Sequence, residues 1–74
     1  MHIDKPQAVE TLMNLEKLER QIGPFKTAGG IKNFINFRKL KKDLEPASYG
    51  VKMVDVNEKD FLQARARISK FLKK

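Results

Sequence analysis

These 74 residues contain no cysteine and no tryptophan, a single histidine, and not one acid beyond Asp60. Each gap excludes something. Without cysteine, neither a disulfide framework nor a thiolate metal centre can form, and the composition suits a reducing interior. A metal centre needs three or four converging ligands, which His2 and scattered carboxylates do not supply. His2 itself, beside the starting methionine, reads as a frayed terminal residue. No apolar run approaches the roughly 18 residues of a membrane span. The opening "MHIDKPQAVE" lacks the basic start and apolar stretch of a secretory signal. The expectation is a cytoplasmic protein without metal or cofactor. Ser48 and Ser69 have no histidine base in any activating pattern, and Glu10, Glu16 and Glu19 have no partner to exploit their acidity. Catalysis is not expected.

What is present is charge of one sign. Sixteen Lys and Arg against nine acids give +7. Hydrophobic residues at 41% and charged ones at 34% match a folded globule rather than a disordered tail. The length fills one hydrophobic core, so residues 1–74 read as one small basic domain, burying only about 60% of the surface its unfolded form exposes. The charge is uneven along the chain. Residues 1–24 hold three cations and four acids, a net −1, while residues 25–50 hold six and two and residues 51–74 seven and three. The last two thirds therefore carry the field, whose sign favours nucleic acid, an acidic protein face or anionic lipid.

Periodicity predicts a mainly α, compact three-helix domain. The first helix begins between Asp4, a capping residue, and Pro6, and runs to Gln21 or Ile22 before the stop signal of Gly23 and Pro24. Ala8, Leu12, Leu15, Leu18 and Ile22 form its apolar stripe, widened by Val9 and Met13. "GPFKTAGG" reads as an eight-residue connection. The second helix spans Gly30 to Glu45, since Pro46 disfavours helix at the residue before it. Its apolar residues divide: Ile31, Phe34 and Ile35 face one way, Phe37, Leu40 and Leu44 roughly the other. Such a helix is expected to lie between two neighbours, at the centre of the fold. Val51–Val56 is a short extended segment between the second and third helices, either a connector tucking Val51 and Val54 inward or a single strand. The connector is preferred, because a lone strand finds no partner in the sequence. As a strand, its free edge would offer a route to a homodimer. The third helix opens in "DVNEKDF", with Asp55/Glu58 or Asn57/Asp60 as cap pair, and runs to the C-terminus. Phe61, Ala64, Ile68, Phe71 and Leu72 make its stripe.

Candidate binding residues follow from these helices. Arg67, Lys70, Lys73 and Lys74 fall opposite the apolar stripe of the third helix. The helix dipole explains cations in the last turn only, and so does not account for Arg67. Four like charges on one face repel unless an anion relieves them, which predicts an outward anion-binding cluster. In "RKLKK", residues 38–42, Leu40 points inward. Lys39 shares a face with Lys32, and Arg38 shares another with Lys42, a spread as compatible with a solvated helix as with a binding surface. Arg65 and Glu19 each flank a core stripe and are expected to pair at its edge. "TAGGIKNF" lacks the phosphate-loop pattern and reads as a plain turn. Phe25 and Tyr49, in connections, are expected to pack on helix ends rather than stack on bases.

Helix-turn-helix organisation is excluded by linkers of about eight and ten residues where that motif has a turn of three or four. The sequence leads to a non-enzymatic protein that binds DNA or RNA mostly through phosphates, using the C-terminal helix and part of the second. The alternative is a small inhibitor or adaptor docking its basic face on an acidic protein partner. A third reading, attachment of the last helix to a membrane surface, conflicts with the need for its apolar stripe in so small a core.

Overall fold

The computed structural model describes residues 1–72, in the order β1 (His2–Asp4), α1 (Lys5–Ile22), α2 (Pro24–Ala28), α3 (Ile31–Ser48), β2 (Met53–Asp55) and α4 (Glu58–Phe71). Helix dominates, as the periodicity predicts. α1 is capped by Asp4, whose carboxylate accepts the Gln7 amide at 3.1 Å, and Pro6 occupies its first turn, where a missing N–H costs nothing. Ala8, Leu12, Leu15 and Leu18 are buried along its inner face. Met13, expected to widen that stripe, is exposed.

The eight-residue connection is a helix in its own right. Gly23, at φ 90°, turns the chain, Pro24 starts α2 with its pre-set φ, and Gly29 ends it in the left-handed conformation at φ 81°. The Thr27 hydroxyl, fully buried, donates to Gly23 O at 2.8 Å, so it enters the core satisfied. Thr11 does the same in α1, donating to Gln7 O at 2.8 Å.

α3 continues past the expected stop at Glu45 and ends at Ser48, with Pro46 inside its last turn. Proline removes one helical N–H and crowds the carbonyl four residues back. Only Ala47 and Ser48 follow it in the helix, and burial of Leu44 and Ala47 on the same side holds this last turn in place. Pro46 O is used in turn by the amides of Tyr49 and Val51.

Val51–Val56 is not a connector. Its centre, β2, pairs antiparallel with β1 in the register His2 with Asp55, Ile3 with Val54 and Asp4 with Met53. Lys5 N to Lys52 O and Val56 N to Met1 O extend the ladder at either end. The missing partner strand was the N-terminus, and His2, read as frayed, sits in it. Alternation does the sorting: Ile3 and Val54 point into the core while their strand neighbours stay exposed. With Asp55 engaged in the sheet, Asn57 caps α4 by accepting the Asp60 amide at 3.1 Å.

The core joins Ile3, Leu12, Leu15, Phe37, Leu40, Leu44, Val54, Val56 and Phe61, with Ala8, Ala28, Ala47 and Ala64 where helices approach closely. Burying each large side chain contributes about 1.5–3 kcal/mol. α3 packs on α1, α2, β2 and α4, which makes it central as expected.

The expected pairing of Glu19 with Arg65 does not occur. Glu19 receives both its bonds from Lys41 of α3, at 2.6 and 2.7 Å, in a largely buried pair. Arg65 is exposed, its guanidinium 5.8 Å from the Phe61 ring centroid, and borders a depression with Glu10 and Asn14. α4 thus crosses α1 near residues 10–14, short of Glu19, and the helical wheel carries no information about where helices cross.

Candidate nucleic-acid interface

Core residues of α3 recur at Phe37, Leu40, Leu44 and Ala47, in steps of three and four. That spacing places Ile31, Ile35, Arg38 and Lys42 on the opposite, outward side. Solvent-facing helix positions are ordinarily polar, yet Ile31 is 67% exposed and Ile35 61%. The second neighbour expected for the Ile31, Phe34 and Ile35 face is α2, whose Phe25 flanks Phe34 with ring centroids 4.6 Å apart and planes inclined by 23°, leaving Ile31 and Ile35 uncovered. Phe25 remains 57% exposed, so its ring covers Phe34 and presents itself to solvent.

Cations continue the same face. Arg38 lies 6.0 Å from the Phe34 ring centroid, and Ile35, Arg38, Lys39 and Lys42 border a shallow depression of about 300 Å³. Lys32 is exposed on the flank it shares with Lys39. Among the described residues, Lys32, Arg38, Lys39 and Lys42 have no carboxylate within the 4.0 Å of an ion pair. Glu16 and Glu45 border the adjoining groove with Arg38 and Lys42 but stay beyond that distance. The basic run "RKLKK" thus divides by role. Leu40 is core, Lys41 is committed to Glu19, and Arg38, Lys39 and Lys42 face solvent.

The C-terminal helix departs from the outward cluster that its wheel predicts. Arg67 turns to the end of α2, where Nε donates to Thr27 O at 2.9 Å and Nη2 to Lys26 O at 2.6 Å. These are carbonyls the short helix leaves without partners, and a cation suits that end of it. The guanidinium also lies 4.8 Å from the Phe71 ring centroid and against Gly29, where a Cβ would stand 3.2 Å from it. α2 therefore uses Arg67 structurally, a role invisible while residues 23–30 read as a loop. Lys70 is exposed, 5.5 Å from the Phe71 ring centroid. Lys73 and Lys74 lie outside the described residues.

Of the eight cations predicted to bind, α3 brings together Lys32, Arg38, Lys39 and Lys42, while Arg67 and Lys70 belong to the α4 side. α2 lies between the two groups, holding Arg67 through its carbonyls and Phe34 through Phe25. Phe25, expected to pack on a helix end, and Lys26, exposed, both belong to the segment that reads as a connection. The signal for them was Pro at the start and Gly at the end of "GPFKTAGG", the ordinary asymmetry of a helix.

Asp55, on β2, is displaced below the usual carboxylate range. The α-amino group of Met1 donates to it at 3.0 Å and lowers its pKa, by the hydrogen bond first and by charge second. Among the described residues no three His, Asp or Glu side chains are grouped to hold a metal, and no helix is long and apolar enough to cross a membrane. Comparison with protein-family models, with curated proteins and with solved structures finds no significant match to this chain.

Proposed function

We propose that this protein is a non-enzymatic nucleic-acid-binding module whose principal contact surface is the outward face of α3. The carrying observation is that Lys32, Arg38, Lys39 and Lys42 share one helix with no ion pair among the described residues, in a chain of net charge +7. Unrelieved like charges on a rigid element are an electrostatic footprint for a polyanion. Lys70 of α4, across α2 from these, is a further exposed cation a long polyanion would meet. Phosphates would supply most of the affinity, because few side chains there can read base edges in a groove.

Retention on random-sequence DNA and RNA tests this. Arg38→Glu combined with Lys42→Glu should abolish retention near physiological salt. Lys17→Glu combined with Lys59→Glu, exposed positions on α1 and α4, gives the same net charge and should weaken it only slightly. Equal loss in both variants would reduce the effect to bulk charge and remove α3 as the site.

Ile31 and Ile35 favour a second reading. Large exposed apolar residues rimmed by cations also suit an acidic protein partner, with the isoleucines as anchors and the charges setting the approach rate. Stoichiometric capture of one protein, lost with Ile35→Asp and accompanied by no nucleic-acid retention at any salt, would establish that reading instead.

A further inference from the structure

We infer that the nucleic acid held by this surface is single-stranded, with Phe25 as a stacking platform for an unpaired base. The inference rests on the nucleic-acid function proposed above and narrows its substrate class. Its observation is the juxtaposition of an exposed aromatic face with unpaired cations. Phe25 lies on Phe34 at 4.6 Å and is still 57% exposed, while Arg38 lies 6.0 Å from the ring of Phe34. Stacking on Phe34 buries part of the Phe25 ring, and more than half of the residue's surface stays open to solvent.

The chemistry of the two nucleic-acid forms then decides between them. A duplex keeps its base faces stacked inside and presents phosphates and groove edges, so an aromatic face on the protein meets no partner. A single strand exposes π-faces, and proteins that hold one combine aromatic platforms with a cationic track for the backbone. Both parts are here. Phe25 and Phe34 form the platform, supported from behind because Phe34 packs on the core. Arg38 and Lys42 stand one turn apart, about 6 Å along the axis, and Lys32 and Lys39 two turns apart, so the track runs along α3 past the platform. Ile31 and Ile35, exposed among these cations, provide an apolar shoulder for a base or sugar edge. Stacking does not discriminate among bases, so little sequence preference is expected.

Fluorescence anisotropy at fixed low salt, with labelled oligothymidylate and a labelled duplex of the same length, tests this directly. Wild type should bind the single strand at least about fivefold more tightly. Phe25→Leu keeps an apolar cover on Phe34 and removes the π-face. It should weaken single-strand binding roughly tenfold and leave duplex binding unchanged. A second readout needs no variant: the ring protons of Phe25, and not those of buried Phe37, should move upfield when the oligonucleotide is added. Equal affinity for both forms, with Phe25→Leu silent and the Phe25 ring signals unmoved, would overturn the inference while leaving nucleic-acid binding intact. No binding to either form by folded protein would overturn both.

Discussion

Arg67 and Gly29 form a pair in which each residue explains the other. A Cβ at position 29 would crowd the guanidinium at 3.2 Å and make it shift, and φ 81° is a conformation that side chains other than glycine resist. Gly29→Ala should therefore destabilise by about 1–2 kcal/mol from backbone strain alone, with crowding of Arg67 in addition. Arg67→Met should cost about 1–2 kcal/mol through its two carbonyl contacts, whereas Lys70→Met should be nearly neutral. Thermal unfolding separates these cases, since a domain of this size loses about 4–8 °C per kcal/mol. A second residue-scale expectation concerns Asp55. Its folded pKa is depressed by the Met1 amine, so its contribution is present above the ordinary carboxylate range and lost as pH falls through the lowered value. An NMR titration should place Asp55 below the ordinary carboxylate range, and acetylating the amine should raise it. Both groups are exposed, so the effect on stability is slight.

Elements were legible where one stretch of sequence carried the whole signal. α1 and α4 announce themselves by stripe and cap, and the structure keeps both helices, with Met13 and Phe71 of the expected stripes exposed. The three departures each depend on something outside the local window. α2 was hidden because five residues hold too little periodicity, although Pro24 and Gly29 punctuate it correctly. β2 seemed partnerless because its partner is His2–Asp4, some fifty residues away, and a three-residue strand carries almost no pattern. α3 overruns Pro46 because burial of Leu44 and Ala47 outweighs a local preference, as tertiary packing commonly does. That last case gives a prediction. Pro46→Ala restores an N–H to the final turn, and it should stabilise by about 1 kcal/mol and raise the melting temperature by several degrees. An unchanged or lower melting temperature would mean that the turn from Tyr49 to Val51 depends on the proline. The candidate site divided in the same way. The cations of α3 were visible in "RKLKK", but which one was spoken for depended on where α1 crosses, and the wheel could not supply that.

At the scale of the molecule, shape and charge act together. The extents of 30 × 26 × 17 Å leave room for essentially one layer of buried side chains in the thin direction, with helices about 8–10 Å apart. Such a chain has a stability of roughly 4–11 kcal/mol, at ~0.05–0.15 kcal/mol per residue. Phe37→Ala, at the centre of that layer, should cost about 3–5 kcal/mol and leave the protein largely or wholly unfolded at 37 °C by circular dichroism. A thin core also constrains function. Surface is abundant relative to buried volume, which is the setting for the outer-face binding proposed for α3. With Lys41 and Arg67 committed internally, Lys32, Arg38, Lys39 and Lys42 are four exposed cations that share α3 beside the Phe25 and Phe34 rings.

The most direct test of that claim is the salt dependence of oligonucleotide affinity. If Lys32, Arg38, Lys39, Lys42 and Lys70 each meet a phosphate of a single strand, log K should fall against log salt with a slope of about −3 to −4, and Arg38→Glu with Lys42→Glu should flatten that slope by at least one. An affinity indifferent to salt, or a slope the double substitution leaves unchanged, would contradict it.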